Sequence, residues 1–160
     1  MNKGPVGRRS VVHHRNASPS PRDTAQAMSQ ENVENARRAY EAFNRGDLEG
    51  MVADLAPDFE YVTTGGIPGV DAVYLGPVGL TDFVGWMRDE FEEPRIEVHE
   101  LTDAGDGVLA EVTLRGRGKQ SGVETSWNIW HLWSTREGKV VRGQAFRSRH
   151  DALEAAGIEE

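Results

Sequence analysis

The sequence predicts an α+β fold, a cone-shaped, curved and antiparallel-rich sheet wrapped around N-terminal helices. Three observations predict it. Apolar residues recur at helical spacing in three segments between residues 29 and 91. Strand-like alternation then dominates from Ile96 to Ser148, and the turns between these late runs are short. Helices followed by hairpin-linked strands argue for α+β and against a parallel sheet built from alternating βα units.

The first helix is expected to start at Ser29, an N-cap residue type followed by Glu31 and Glu34 near the positive helix end. Val33, Ala36, Tyr40 and Phe43 form its apolar stripe. Gly46 suits a left-handed cap, and Asp47 can cap a second helix carrying Leu48, Met51, Val52 and Leu55, which Pro57 should end. Phe59, Tyr61 and Thr63 alternate with Glu60, Val62 and Thr64 as a strand. A glycine-rich loop without phosphate-loop spacing follows, "TGGIPGVDAVYLG". Gly76-Pro77 opens a third helix with Leu80, Phe83, Val84, Met87 and Phe91 on one side, closed by Pro94. Strand runs come next at 96–101, 108–114, 123–134 and 140–148, with "DAGD" and Glu137-Gly138 as turns. A short helix in "HDALEAAGI" closes the chain, with Gly157 as its stop.

Composition narrows the function. The 160 residues contain no cysteine, so disulfides, thiol nucleophiles and thiolate metal sites are excluded, and the cytoplasm is the expected compartment. The net charge of −8 is unevenly spread: residues 1–27 hold five basic residues and one acidic, against 13 basic and 25 acidic in residues 28–160. Residues 1–27 are rich in Arg, Ser and Pro and are expected to be a disordered basic extension, with one folded domain over 28–160. The acidic body repels phosphate backbones and has no apolar run of membrane-spanning length, so neither nucleic acid nor membrane is an expected partner.

The order of elements, with "YEAFNRGDLEGMVADLAPDFEY", "YLGPVGLTDFVGWM", "HLWSTREGKVVR" and "DALEAAGI", resembles the SnoaL-like, polyketide cyclase-like branch of the nuclear transport factor 2-like superfamily across residues 28–158. The resemblance implies an α+β barrel, usually a homodimer, with a pocket between helices and concave sheet. It implies no single reaction, because one fold serves many chemistries. Ketosteroid isomerase, in the same superfamily, uses an aspartate base with a tyrosine and a protonated aspartate as donors. Carried onto this chain, those positions hold Thr63, Ala39 and Trp130. The acid of the cyclases falls on Ala145, and Ser148 stands where many SnoaL-like sequences carry an aspartate, before Arg149. The usual proton-transfer groups are therefore expected to be missing.

Strand parity, independently of any family, directs Phe59, Tyr61 and Thr63 inward, together with Val108, Ala110, Val112 and Leu114, then Asn128, Trp130 and Leu132, and finally Val141, Gly143, Ala145 and Arg147. This set holds no carboxylate and no histidine. Glu60, Glu111 and Glu124 fall outside. The expected ligand-binding residues are Tyr61, Thr63, Asn128, Trp130 and Arg147: hydroxyl and amide groups, one indole wall and one cation in want of an anionic partner. His99, His131 and His150 are single residues on separate elements, so no metal is expected, and no cofactor. In "SWNIWHLWS" the remaining face carries Trp127, Ile129, His131 and Trp133. An apolar outer face of that size predicts burial in a homodimer.

The resulting expectation is a protein that binds a small, largely apolar molecule in its cone. Two alternatives accompany it. One is a cyclase, isomerase or hydrolase acting on a hydrophobic substrate through neutral hydrogen-bond donors. The other is a non-catalytic dimeric scaffold whose cone is plugged by its own side chains.

Overall fold

The computed structural model describes residues 20–159. The chain runs α1 (Pro21–Asn44), α2 (Leu48–Val52), β1 (Leu55–Val62), β2 (Val73–Leu75), α3 (Gly76–Glu90), β3 (Phe91–Asp103), β4 (Gly107–Gly118), β5 (Glu124–Arg136), β6 (Lys139–Phe146) and α4 (Arg149–Ala156). One six-stranded sheet has the order β2-β1-β6-β5-β4-β3. Only β1 and β6 run parallel; every other neighbouring pair is antiparallel. Register shifts on β1, on β3 and between β5 and β6 mark bulges, which bend strands and curl the sheet towards the helices. The α+β architecture is the one expected.

Several element boundaries differ from expectation for local reasons. Helix α1 reaches back to Pro21, into the segment expected to be disordered. Its cap is Ser20, whose Oγ accepts from the Asp23 N–H at 3.1 Å, rather than Ser29; Pro21 at the first position needs no intrahelical donor. Residues 1–19, the rest of the basic segment, lie outside the described residues. Gly46 takes the left-handed conformation (φ 79°) and Asp47 caps α2 through Gly50 N–H at 2.9 Å, both as expected. Helix α2 ends at Val52, and Pro57 sits inside β1 at its irregular stretch, where no ladder donor is required of it. Pro94 likewise lies within β3 beside Glu93 (φ 45°), since α3 has already ended at Glu90. Strand β2 was not foreseen: it forms in the glycine-rich stretch and pairs with Glu60, Tyr61 and Val62 of β1. The Glu137-Gly138 turn (φ 53° and 80°) joins β5 to β6 as a tight hairpin, and Gly157 (φ 71°) stops α4.

Two apolar clusters hold the layers together. The larger lies between the sheet and α1 to α3 and includes Tyr40, Phe43, Met51, Phe59, Tyr61, Leu80, Val84, Met87, Ala110 and Val112. The smaller covers the opposite face, where Ala152 and Leu153 of α4 pack with Leu109, Trp130, Leu132 and Phe146. Asn44 ties the end of α1 to β3 by donating to the Ile96 carbonyl and accepting its N–H, both at 2.8 Å. Among the described residues no helix is long and apolar enough to cross a membrane.

Candidate functional site

Between α1, α3 and the concave sheet lies a cavity of about 120 Å³. Engineered apolar cavities of roughly 150 Å³ take up benzene, so this is the scale of a one-ring molecule. Small residues make the space. Ala36 and Ala39 present little bulk from α1, and Leu80, Phe83, Val84, Met87, Val112 and Ile129 supply apolar walls. Asn32, Asn35, Asp54 and Thr135 also line it, and Asn32 donates from Nδ2 to Thr135 Oγ1 at 3.2 Å, joining α1 to the end of β5.

Deep in this cavity stand Tyr40, Tyr61, His131 and Trp133. The Tyr40 hydroxyl lies 2.7 Å from His131 Nδ1, and the Tyr61 hydroxyl lies 3.1 Å from His131 Nε2. The Trp133 indole N–H donates to the Tyr40 oxygen at 2.8 Å. Each group comes from a different position on the scaffold: Tyr40 from the apolar stripe of α1, Tyr61 from β1, His131 and Trp133 from alternate residues of β5. In the ladder His131 sits opposite Ala110 on β4 and Ala145 on β6, two methyl-sized neighbours that leave the imidazole room to stand between the phenols. Trp133 stacks on Tyr61 and Phe59, with ring centroids 5.9 Å and 6.5 Å apart.

Burial sets the charge state of this cluster. His131 is 6% exposed and desolvation pushes its pKa down to about 4, so the ring is neutral near pH 7. Desolvation raises Tyr40 and Tyr61 well above the ordinary phenol range, with the Trp133 hydrogen bond partly opposing this at Tyr40. The site is therefore a chain of neutral donors and acceptors walled by apolar and aromatic groups.

This placement corrects the sequence reading of β5. Ile129, His131 and Trp133 line the cavity and Trp127 packs edge-on against Phe91, whereas these four were expected on an outer dimer face. Asn128, Trp130 and Leu132 face the other way. Asn128 is exposed and its Oδ1 accepts from Thr113 Oγ1 at 2.9 Å; Trp130 and Leu132 pack in the α4 cluster. Of the five expected ligand residues only Tyr61 lines the cavity. Thr63 is buried, but its hydroxyl is spent on the Asp71 and Ala72 carbonyls at 2.8 and 3.2 Å. Arg147 is exposed and donates to the Gly65 carbonyl at 3.0 Å, which satisfies a cation expected to need an anion. Val140 rather than Val141 lines the cavity. The expectation that no histidine reaches the cone is overturned by His131, and Asp54 is among the residues lining it. Phe59, Ala110, Val112 and Ala145 do lie in the inner core, and Glu60 lies outside, paired with Arg142 at 3.0 Å.

Tyr40 entered the sequence reading only as a helix-stripe residue, and nothing in its spacing marks it as chemical. No group of three or more metal-ligating side chains occurs among the described residues.

Residues 36–143 match the model of the SnoaL-like domain family. The chain belongs to that family. Solved structures share its fold. TerC, co-crystallised with polyporic acid, is 24% identical with a TM-score of 0.67, the match covering 79% of this chain and 98% of TerC. A nuclear transport factor 2-like protein of unknown function from Burkholderia pseudomallei is 24% identical with a TM-score of 0.68, covering 78% and 95%. A protein from Catenulispora acidiphila with a ketosteroid isomerase-like fold, in complex with trimethylamine, is 18% identical with a TM-score of 0.62, covering 79% and 94%. At these identities the likeness shows the fold alone. No curated protein matches the chain. In this SnoaL-like protein, function must therefore be argued from the Tyr40, Tyr61, His131 and Trp133 cluster itself.

Proposed function

We propose that this SnoaL-like protein binds a small, largely apolar molecule inside its cone. The observation that carries the reading is the cavity of about 120 Å³, walled mostly by apolar side chains, with Asn32, Asn35, Asp54 and Thr135 on part of its lining and a hydrogen-bonded cluster of Tyr40, Tyr61, His131 and Trp133. The same cavity counts against a plugged, purely structural scaffold. Solved structures of the same fold crystallised with polyporic acid and with trimethylamine support a small-molecule role for the cone.

A catalytic reading is favoured by His131. Neutral imidazole and protonated phenols act by stabilising charge that develops on a substrate oxygen, which suits an isomerase, cyclase or hydrolase acting on a hydrophobic substrate. Self-association belongs to the same proposal, although of the interface residues first expected for it only Trp127 is exposed. The outer face carries charges of both signs, Arg115 with Glu97 and Arg117 with Glu124, which a two-fold copy can match. A cytoplasmic location accords with the absence of cysteine.

Native mass spectrometry of the purified protein, with titration of a hydrophobic fluorescent dye, tests the binding reading and reports subunit number. One small molecule per chain is expected, lost in Ala39→Trp, which fills the cavity from α1. Dye binding unchanged in a folded Ala39→Trp variant would place the ligand elsewhere.

A further inference from the structure

The hydrogen count of the buried cluster specifies the ligand more closely, on the reading that the cone binds a small molecule. Four donor hydrogens meet there: the Trp133 indole N–H, the two phenol O–H groups and the one N–H of a neutral imidazole. They have three contacts among them, Trp133 to Tyr40, Tyr40 to His131 and His131 to Tyr61. One hydrogen is left over. Among the described residues, neither phenol oxygen has a further hydrogen-bond partner.

Its place follows from the ends of the chain. Trp133 can only donate, so the Tyr40 oxygen accepts there. If Tyr40 passes its own hydrogen to Nδ1, the imidazole carries its proton on Nε2 and donates to Tyr61; Tyr40 and His131 then each take one bond and give one, Trp133 gives its one, and only the Tyr61 O–H has no acceptor. The reverse order makes the Tyr40 oxygen accept from both Trp133 and His131 and leaves the spare hydrogen on that twice-engaged hydroxyl. The favoured order runs from Trp133 through Tyr40 and His131 and ends on the Tyr61 O–H, whose ring also stands on the cavity wall.

We infer that the cone recognises apolar molecules bearing one uncharged oxygen acceptor, of the ketone or quinone carbonyl type, and that the Tyr61 hydroxyl donates to it. An unmet O–H in an apolar pocket is costly, so a ligand that accepts it gains over its hydrocarbon isostere, which leaves it unmet. Tyr40 and Trp133 are positioning residues: they reach the ligand only through the direction they impose on His131.

The test compares acetophenone with isopropylbenzene, the same shape with and without the oxygen, by calorimetric titration of the full chain. The ketone should bind about tenfold more tightly. Tyr61→Phe should erase the preference for the ketone over the hydrocarbon, and the carbonyl stretch of bound ketone should move to lower frequency in the wild type and return in Tyr61→Phe. Equal affinity for the pair in the wild type overturns the acceptor inference and leaves apolar binding standing. Failure of both molecules to bind removes the binding reading and this inference with it. A preference that survives Tyr61→Phe but is lost in Tyr40→Phe overturns the assignment to Tyr61. If Tyr61→Phe does not fold, the wild-type carbonyl frequency decides alone: an unshifted band contradicts the donor.

Discussion

His131 Nδ1 lies 2.7 Å from the hydroxyl of Tyr40, a residue 91 positions earlier in the chain. That contact joins the opening helix to the middle of β5 across the interior of the cone. It also fixes the polar centre of a mostly apolar cavity. The stability and chemistry of the site both depend on it.

Stability should depend on pH through this ring. The unfolded histidine titrates near about 6.5, while burial lowers the folded value to about 4. Between those values the unfolded chain binds more protons, so stability is unaffected above about pH 7 and falls as pH drops from about 6.5 towards 4. The loss from this group totals about 3 kcal/mol and stops growing below about pH 4. Urea denaturation across that window should show a shallower pH dependence in His131→Gln than in the wild type. Equal slopes would contradict the burial of a neutral ring.

Removing either phenol hydroxyl should destabilise the fold, by unequal amounts. Tyr40→Phe strips the partner from both the Trp133 N–H and His131 Nδ1, and should cost about 2 to 4 kcal/mol. Tyr61→Phe strips one partner, from His131 Nε2, and should cost about 1 to 2 kcal/mol. Denaturant midpoints at neutral pH rank the two. The reverse order would mean that Tyr40 is not the hub.

Gly143 gives the aromatic cluster its room. A Cβ there would come within 2.3 Å of Trp133 Cζ3 and 3.1 Å of Tyr61 Cδ1. Gly143→Ala should therefore push both rings towards the cavity, cost about 1 to 3 kcal/mol and weaken ligand binding. A stable variant with unaltered near-ultraviolet dichroism would show that the rings pack elsewhere.

Much of the fold was legible in the sequence, and the fate of β5 shows why the site was not. The inward parity of Phe59 and Tyr61, and of Ala110 and Val112, follows from alternation and agrees with the structure. For β5 the decisive quantity is one residue. An uninterrupted ladder from the Glu137-Gly138 hairpin pairs Trp130 with Ala145 and turns Asn128, Trp130 and Leu132 inward. In the structure Thr135 pairs with Val140 but Ser134 pairs with Arg142, so Val141 has no partner and His131 meets Ala145 instead. A single bulge exchanges the two faces of the strand. Both faces of "SWNIWHLWS" are rich in large apolar groups, so composition does not reveal the exchange; only the pairing with β4, where His131 meets Ala110, does.

Deleting Val141 should therefore be far more damaging than its half-buried side chain suggests. A restored ladder would drive Trp130 against the core and His131 out of it. The deletion variant should lose its cooperative thermal transition, while Val141→Ala, which keeps the bulge, should retain it. A deletion variant melting like the wild type would show that the bulge does not set the face.

The most direct test of the account is the state of the His131 ring, read from its ring-nitrogen resonances by long-range correlation spectroscopy and assigned by their disappearance in His131→Gln. The buried cluster predicts a neutral imidazole with its proton on Nε2, unchanged from neutral pH down to about pH 5. A ring that titrates near about 6.5, as an exposed histidine does, would contradict it.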